Sequence, residues 1–179
     1  KYHNCHGDCP MSTLSVDTIQ GKTTAGTVAM PSGMVVQTSF HTFSTETVLN
    51  SNSDADLGGS SHTFTPKFAS SLLILSCSVS IQINRSNSNN GGTVNFVVDG
   101  VNIDHPTNSA DYEHYINMNS GNTNNYTRTQ KEVSVSASNT NAKTVKLVGR
   151  PHDTGDSGLL RINPQGYHTS SIKIQEIAQ

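Results

Sequence analysis

The run LLILSCSVSIQIN, residues 72–84, constrains the fold more tightly than any other part of the chain. Leu73, Leu75, Cys77, Val79, Ile81 and Ile83 alternate with Ile74, Ser76, Ser78, Ser80, Gln82 and Asn84. A period of two held this long gives a β-strand with one apolar face and one mostly hydroxylated face. The same residues on a helix would be scattered around its circumference. Composition agrees, with 24 Ser, 20 Thr and 18 Asn among 179 residues. Their short polar side chains compete for the helical backbone, and Thr is β-branched and fits a pleated surface.

Shorter strands are expected on both sides of this one. MVVQTSFHTF (34–43) has Val36 and Phe40 among its apolar anchors, and HTFTP (62–66) stops at Pro66 with Phe64 and Phe68 pointing inward. VNFVVDG (94–100) ends at an Asp99-Gly100 turn and reads as the second arm of a hairpin with residues 72–84. TRTQKEVSVSAS and AKTVKLVG flank a turn at Asn139–Asn141, and LLRINP and SSIKIQEI close the chain. Residues 44–61 and 149–158 read as loops, and 104–125 as a long loop with one strand or short helix. Seven to nine short strands predict an all-β, antiparallel β-sandwich with jelly-roll-like connections over residues 34–179. Residues 1–33 predict an N-terminal arm for attachment or oligomerisation. Its apolar positions Leu14, Val16, Ile19, Val28 and Met30 are too few for a core, and Gly21, Gly26, Pro31 and Gly33 interrupt them.

Several function classes are disfavoured. Charged residues are 13% of the chain, about half the usual share. The formal net charge is -2, and Arg128, Lys131, Lys143, Lys146 and Arg150 are spread through a polar region that includes Glu132. No basic stripe marks a nucleic-acid partner. The longest apolar run, Leu72 to Leu75, is far too short to insert in a membrane, and no signal-peptide pattern is expected.

His3, Cys5, His6 and Cys9 supply four donors of the kind zinc accepts, but cramped together. A metal site, a Cys5–Cys9 or intersubunit disulfide, and a peripheral segment all stay open. Cys77 is expected to be a buried thiol. Asn52, Asp54 and Asp56 alternate as cation ligands can, without the glycine and distal glutamate of a calcium loop; a solvated loop is expected. His105, His114, His152 and His168 fall among loops with Asp104, Asp111 and Asp153. No G-x-S-x-G, H-E-x-x-H or phosphate-binding glycine motif accompanies them, and GDSG at 155–158 reads as a turn. The expectation is no enzyme and no cofactor. Tyr112, Tyr115, Tyr126 and Tyr167, with nearby Asn residues and Arg128, suit stacking on sugars and bonding their hydroxyls. The alternative is that these rings pack within the domain or between subunits.

Two stretches carry a resemblance. MSTLSVDTIQGKTTAGTVAMPSGMVVQ (11–37) and FTPKFASSLLILSCSVSI (64–81) resemble tail-fibre-like and virion structural proteins of bacteriophages, especially phages of marine bacteria. The matching phrases are an "STL-VDTIQ" opening and a "TP-K-ASS-ILI" start to a strand; NFVVDG at 95–100 and SIKIQEI at 171–177 are similar as well. Leu72 departs from the lysine that usually precedes "ILI", and residues 1–10 precede the opening. The resemblance implies a non-enzymatic virion protein on an exterior appendage or the capsid surface, commonly a homotrimer. Its implied partners are other virion proteins (tail, portal or capsid) and a host surface glycan. A capsid decoration or cement protein is the alternative, and a carbohydrate-binding module a further one.

Overall fold

The computed structural model describes residues 31–51, 53–85, 90–103, 114–116, 123–151 and 159–179. In chain order its strands are β1 (Val35–Phe43), β2 (Thr47–Leu49), β3 (Ala55–Asp56), β4 (His62–Phe64), β5 (Leu72–Arg85) and β6 (Asn90–Val98). They continue as β7 (Val101–Ile103), β8 (His114–Ile116), β9 (Thr123–Ser136), β10 (Lys143–Pro151), β11 (Leu159–Ile162) and β12 (Ser170–Ile177). All their pairings are antiparallel. Two sheets pack together as a β-sandwich, with β1, β2, β5, β9, β11 and β12 in sheet A and the other six in sheet B.

The pairing reduces these strands to eight columns. β5 carries β9 along one edge; along the other it carries β12 opposite residues 72–78 and β11 opposite 81–84. β11 and β12 are therefore one column interrupted at 163–169, and β1 and β2, which pair with them, are one column interrupted at 44–46. In sheet B, β4 and β3 share one edge of β10, while β7 and β8 share the outer edge of β6. The column order is β1/β2, β12/β11, β5, β9 in one sheet and β4/β3, β10, β6, β7/β8 in the other. The expected number of strands matches these columns; interruptions divide them further.

The alternation of β5 delivers the core as read. Leu73, Leu75, Cys77, Val79, Ile81 and Ile83 are all buried, facing Val94, Phe96, Val98, Val145 and Leu147 from sheet B. Ile162, Ile172 and Ile174 complete sheet A's inner face, and Cys77 is a free buried thiol. The β6–β7 turn also holds: Asp99 and Gly100 both have positive φ (50° and 82°), as a two-residue hairpin loop requires. Asp99 accepts the Thr144 amide at 2.8 Å, tying that turn to β10.

Five expectations are corrected. β5 and β6 are not a hairpin but lie in different sheets, with β6 paired to β10, β7 and β8. Phe40 is 64% exposed rather than an anchor, because β1 turns Gln37, Ser39, His41 and Phe43 inward instead. Phe68 is exposed as well. The polar stretch 44–61 contains β2 and β3, and β10 runs on through Gly149 to Pro151. The expected arm lies outside the described residues up to Met30. Gly33 already donates to the Ala178 carbonyl at 2.8 Å, and Ala178 donates to Met34 at 2.9 Å.

The polar inner face of β1 is satisfied by two local arrangements. Glu176, fully buried on β12, accepts the Lys67 and Phe68 amides at 2.9 Å, the Ser71 hydroxyl at 2.7 Å and the Gln37 amide at 2.7 Å. Burial alone would raise this carboxyl. The Lys67 and Phe68 amides outweigh it, with Ser71 and Gln37 adding to them, and hold the group below the ordinary glutamate range. The segment between β4 and β5 is thereby wrapped around a carboxylate.

The second arrangement is a pair of stacked imidazoles, His41 and His62, with ring centroids 5.0 Å apart and planes 8° from parallel. His62 Nε2 lies 2.7 Å from Ser39 Oγ and His41 Nε2 lies 2.8 Å from the Gly59 carbonyl, so the pair spans the gap between edge strands β1 and β4. Burial, with the neighbouring His41, pushes the His62 pKa down. As pH falls, the unfolded chain takes up this proton first. The contribution is present above about pH 6.5 and is lost as pH falls through the lower folded value. The melting temperature is expected to drop between about pH 7 and 5, with a shallower slope in His62→Gln. Equal slopes in the two proteins would contradict this role.

Candidate functional site

The outer face of sheet A carries several of the candidate side chains. Inward positions of β9, such as Thr129 and Val133, are buried, which turns Tyr126, Arg128, Gln130 and Glu132 outward. Register sets them opposite Gln82, Ser80, Ser78 and Ser76 of β5. β12 and β1 extend the rows: Phe40 pairs with Lys173, and Lys173 with Ser76, which pairs with Glu132. Adjacent to that row run Thr42, Ser171, Ser78 and Gln130.

Residues 163–169 leave the β11/β12 column and supply the rest of the site. Their departure is fixed by Asn163, which is fully buried with left-handed backbone angles (φ 48°, ψ 56°). Asn is one of the few side chains that tolerate this conformation. Its Nδ2 donates to the Phe43 and Thr45 carbonyls at 3.3 and 3.4 Å, and its Oδ1 accepts the Ser170 hydroxyl at 2.6 Å. The Ser80 amide donates to Ser170 Oγ at 3.0 Å, so all the partners meet in one buried polar network. A short 3₁₀ turn, Pro164–Gly166, follows, and the chain then carries Tyr167, His168 and Thr169 back to β12.

That segment meets β9. Arg128 Nη2 donates to the Thr169 carbonyl at 2.9 Å and its Nη1 to Ser78 Oγ at 3.1 Å. The Tyr126 and His168 rings stack at 6.3 Å with planes 29° apart. Tyr167, the next residue along, is 85% exposed. Three of the expected sugar-contacting residues, Tyr126, Arg128 and Tyr167, thus belong to one cluster. Tyr115 is elsewhere, on β8 opposite Gly91 in sheet B, and Tyr112 lies outside the described residues.

Between this cluster and Phe40 the face holds an open groove of about 430 Å³, lined by Phe40, Lys173, Ser76, Glu132, Gln130 and Ser171 among others. Ser76 donates to one Glu132 oxygen at 2.8 Å. The Lys173 ammonium has no hydrogen-bonding or ionic partner among the described residues. At the far end of the face, Arg161 bonds Glu46 at 2.8 Å. That bond, with the Gln165 amide, holds the Glu46 carboxyl below its usual range.

Among the described residues, the other candidates do not assemble into a site. Asp56 lies on β3, largely exposed, and bonds Lys146 at 2.7 Å, while Asp54 just before it lies 3.8 Å from Arg150. Lys143 lies 3.7 Å from Asp99, and Lys131 donates to Asn95 at 2.7 Å, so these cations serve separate local pairings. His3, Cys5, His6 and Cys9 lie outside the described residues, as do Leu14, Val16, Ile19, Val28 and Met30. So do His105 and His152, with Asp104, Asp111 and Asp153. Among the described residues no three His, Cys, Asp or Glu side chains gather as metal ligands would, and no helix is long and apolar enough to cross a membrane.

Phe40 and Lys173 were not singled out by sequence as site residues. The signal lay in the phase of β1, where Phe43 inward forces Phe40 outward. Comparison with protein-family models and with curated proteins gives no match.

Proposed function

We propose that this chain is a non-enzymatic structural protein of a bacteriophage particle, a fibre or appendage subunit that assembles as a homotrimer with other virion proteins and contacts a host surface glycan. The observation that carries the reading is the order of the eight columns. Taken as jelly-roll-like, that order supports the reading, because this architecture recurs in viral capsid and lectin domains. That step is an argument from shared architecture. Two further features support it. Two of the phrases that carry the phage resemblance meet in space, since Lys67, Phe68 and Ser71 of TPKFASS hold Glu176 of SIKIQEI. The outer face of sheet A offers hydroxyls, amides and exposed rings with few charges, a surface suited to sugar hydroxyls.

In this reading the N-terminal segment attaches the body, and the sandwich presents its loops and outer face. Deleting residues 1–30 is expected to leave residues 31–179 folded, with their core complete, and to abolish incorporation into particles. Circular dichroism and co-sedimentation with particles lacking the native protein check both halves. Undiminished incorporation of the truncated chain would refute the attachment role. Incorporation at capsomer boundaries would favour a decoration protein.

A further inference from the structure

We propose that the groove between Phe40 and Glu132 is a subsite for a neutral pyranose unit of a glycan. Only for the source of that glycan, a host surface, does this rest on the function proposed above.

Phe40 is the one aromatic ring on the outward face of β1, flanked there by Thr38 and Thr42, and is 64% exposed. An isolated ring among hydroxyls does not make an apolar protein-binding patch. It does match the apolar C–H face of a sugar ring. Its cross-strand neighbour Lys173 presents an uncommitted ammonium. Two strands away Glu132 presents a carboxylate, one oxygen of which accepts from Ser76 while the other has no partner among the described residues.

Lys173 and Glu132 flank Ser76 at a backbone separation of about 10 Å, two strand spacings. They form no ion pair. The groove thus offers separated donor and acceptor groups, with the amphoteric Ser171 hydroxyl and the Gln130 amide between. A sugar hydroxyl both donates and accepts, so the hydroxyls spaced around a pyranose ring suit such interspersed donors and acceptors. With Lys131 held by Asn95, the Lys173 and Glu132 charges offset each other, so the groove favours neither an anion nor a cation over a neutral unit. An apolar peptide would strip water from both charges without replacing it. The volume of about 430 Å³ falls within the ~300–1,000 Å³ of small-molecule sites.

Beyond the groove, the outer face of β9 leads on to the tyrosine cluster. Glu132, Gln130, Arg128 and Tyr126 follow one another on the same face of β9, a run of about 20 Å. A longer glycan starting over Phe40 would end against Tyr126 and Tyr167.

The test screens the full chain on an array of lipopolysaccharide O-chain and capsular oligosaccharides, then titrates the strongest binder into wild type, Phe40→Ala, Lys173→Ala and Tyr167→Ala. Phe40→Ala and Lys173→Ala are each expected to weaken binding at least tenfold at unchanged melting temperature. No binding on the array would overturn the subsite. So would affinity that survives both groove substitutions, or loss under Tyr167→Ala alone, which would assign recognition to the tyrosine cluster. Sedimentation of Phe40→Ala is a further control: a change in oligomeric state would make the groove a subunit contact and overturn the inference. Mass spectrometry of purified particles tests the virion reading separately, so failure of one leaves the other standing.

Discussion

Replacing Glu176 by alanine is expected to destabilise the fold by about 3–5 kcal/mol, a large share of the ~5–15 kcal/mol that holds a domain of this size. Four groups from β1 and the segment after β4 donate to this buried carboxylate. Alanine would leave the part-buried Lys67 and Phe68 amides without their acceptor, while the Ser71 hydroxyl keeps the Phe68 carbonyl, and each orphaned donor costs about 1–3 kcal/mol. Glutamine is expected to cost less, about 2–3 kcal/mol, because one oxygen remains while the new amide faces other donors. Denaturant melts of both variants check the order. Equal stability of wild type and Glu176→Ala would show that the segment is held by other contacts.

The same carboxylate gives the chain an acid limit. Its folded pKa lies below the unfolded value, so the unfolded chain binds the proton first as pH falls. Stability from Glu176 is complete above about pH 4.3, the ordinary glutamate value, and is lost as pH falls through the lower folded pKa. The His62 contribution is lost at higher pH, so acid unfolding of the wild type is expected in two ranges. Glu176→Gln is expected to shrink only the lower one, to which Glu46 also contributes.

Asn163→Ala is expected to cost about 3 kcal/mol and to damage the site as well as the fold. Alanine at φ 48° meets the steric penalty that Asn relieves locally, ~1–2 kcal/mol. It also removes bonds to the Phe43 and Thr45 carbonyls and to the Ser170 hydroxyl inside a buried network. Asn163→Gly, free of the steric penalty, is expected to lose about 1 kcal/mol less. In both variants residues 164–169 lose their anchor, so quenching of Tyr126 and Tyr167 fluorescence by added iodide is expected to change. A wild-type quenching profile with a loss under 1 kcal/mol would count against the network as the element that lays out this segment.

The legible parts of the fold were those where packing and sequence share a period. β5 alternates without a break because its inner face meets the other sheet and its outer face is hydroxylated. β1 was out of phase: Val36 and Phe40 are apolar, but its inward Gln37, Ser39 and His41 are satisfied by Glu176, His62 and the Gly59 carbonyl, all distant in sequence. Alternation carries no record of such partners. β2 and β3, of three and two residues, are too short for any period to register. The mistaken β5–β6 hairpin has a similar cause, since two strands and a polar link read alike whether the link turns back within one sheet or crosses to the other. At the site, Tyr126, Arg128 and Tyr167 were named from residue type, whereas Arg128's hold on Thr169 needed the register of β9 and the path of 163–169. Lys173 sits in an unremarkable strand, and only the pairing with Phe40 gives it a context.

The most direct test of the central claim is a density map of an intact particle in which this chain is traced. The account predicts a three-fold position on a tail or spike, with residues 1–30 against a neighbouring protein and the Phe40–Tyr167 face directed outward. Density bridging capsomers with that face turned to the shell would contradict it.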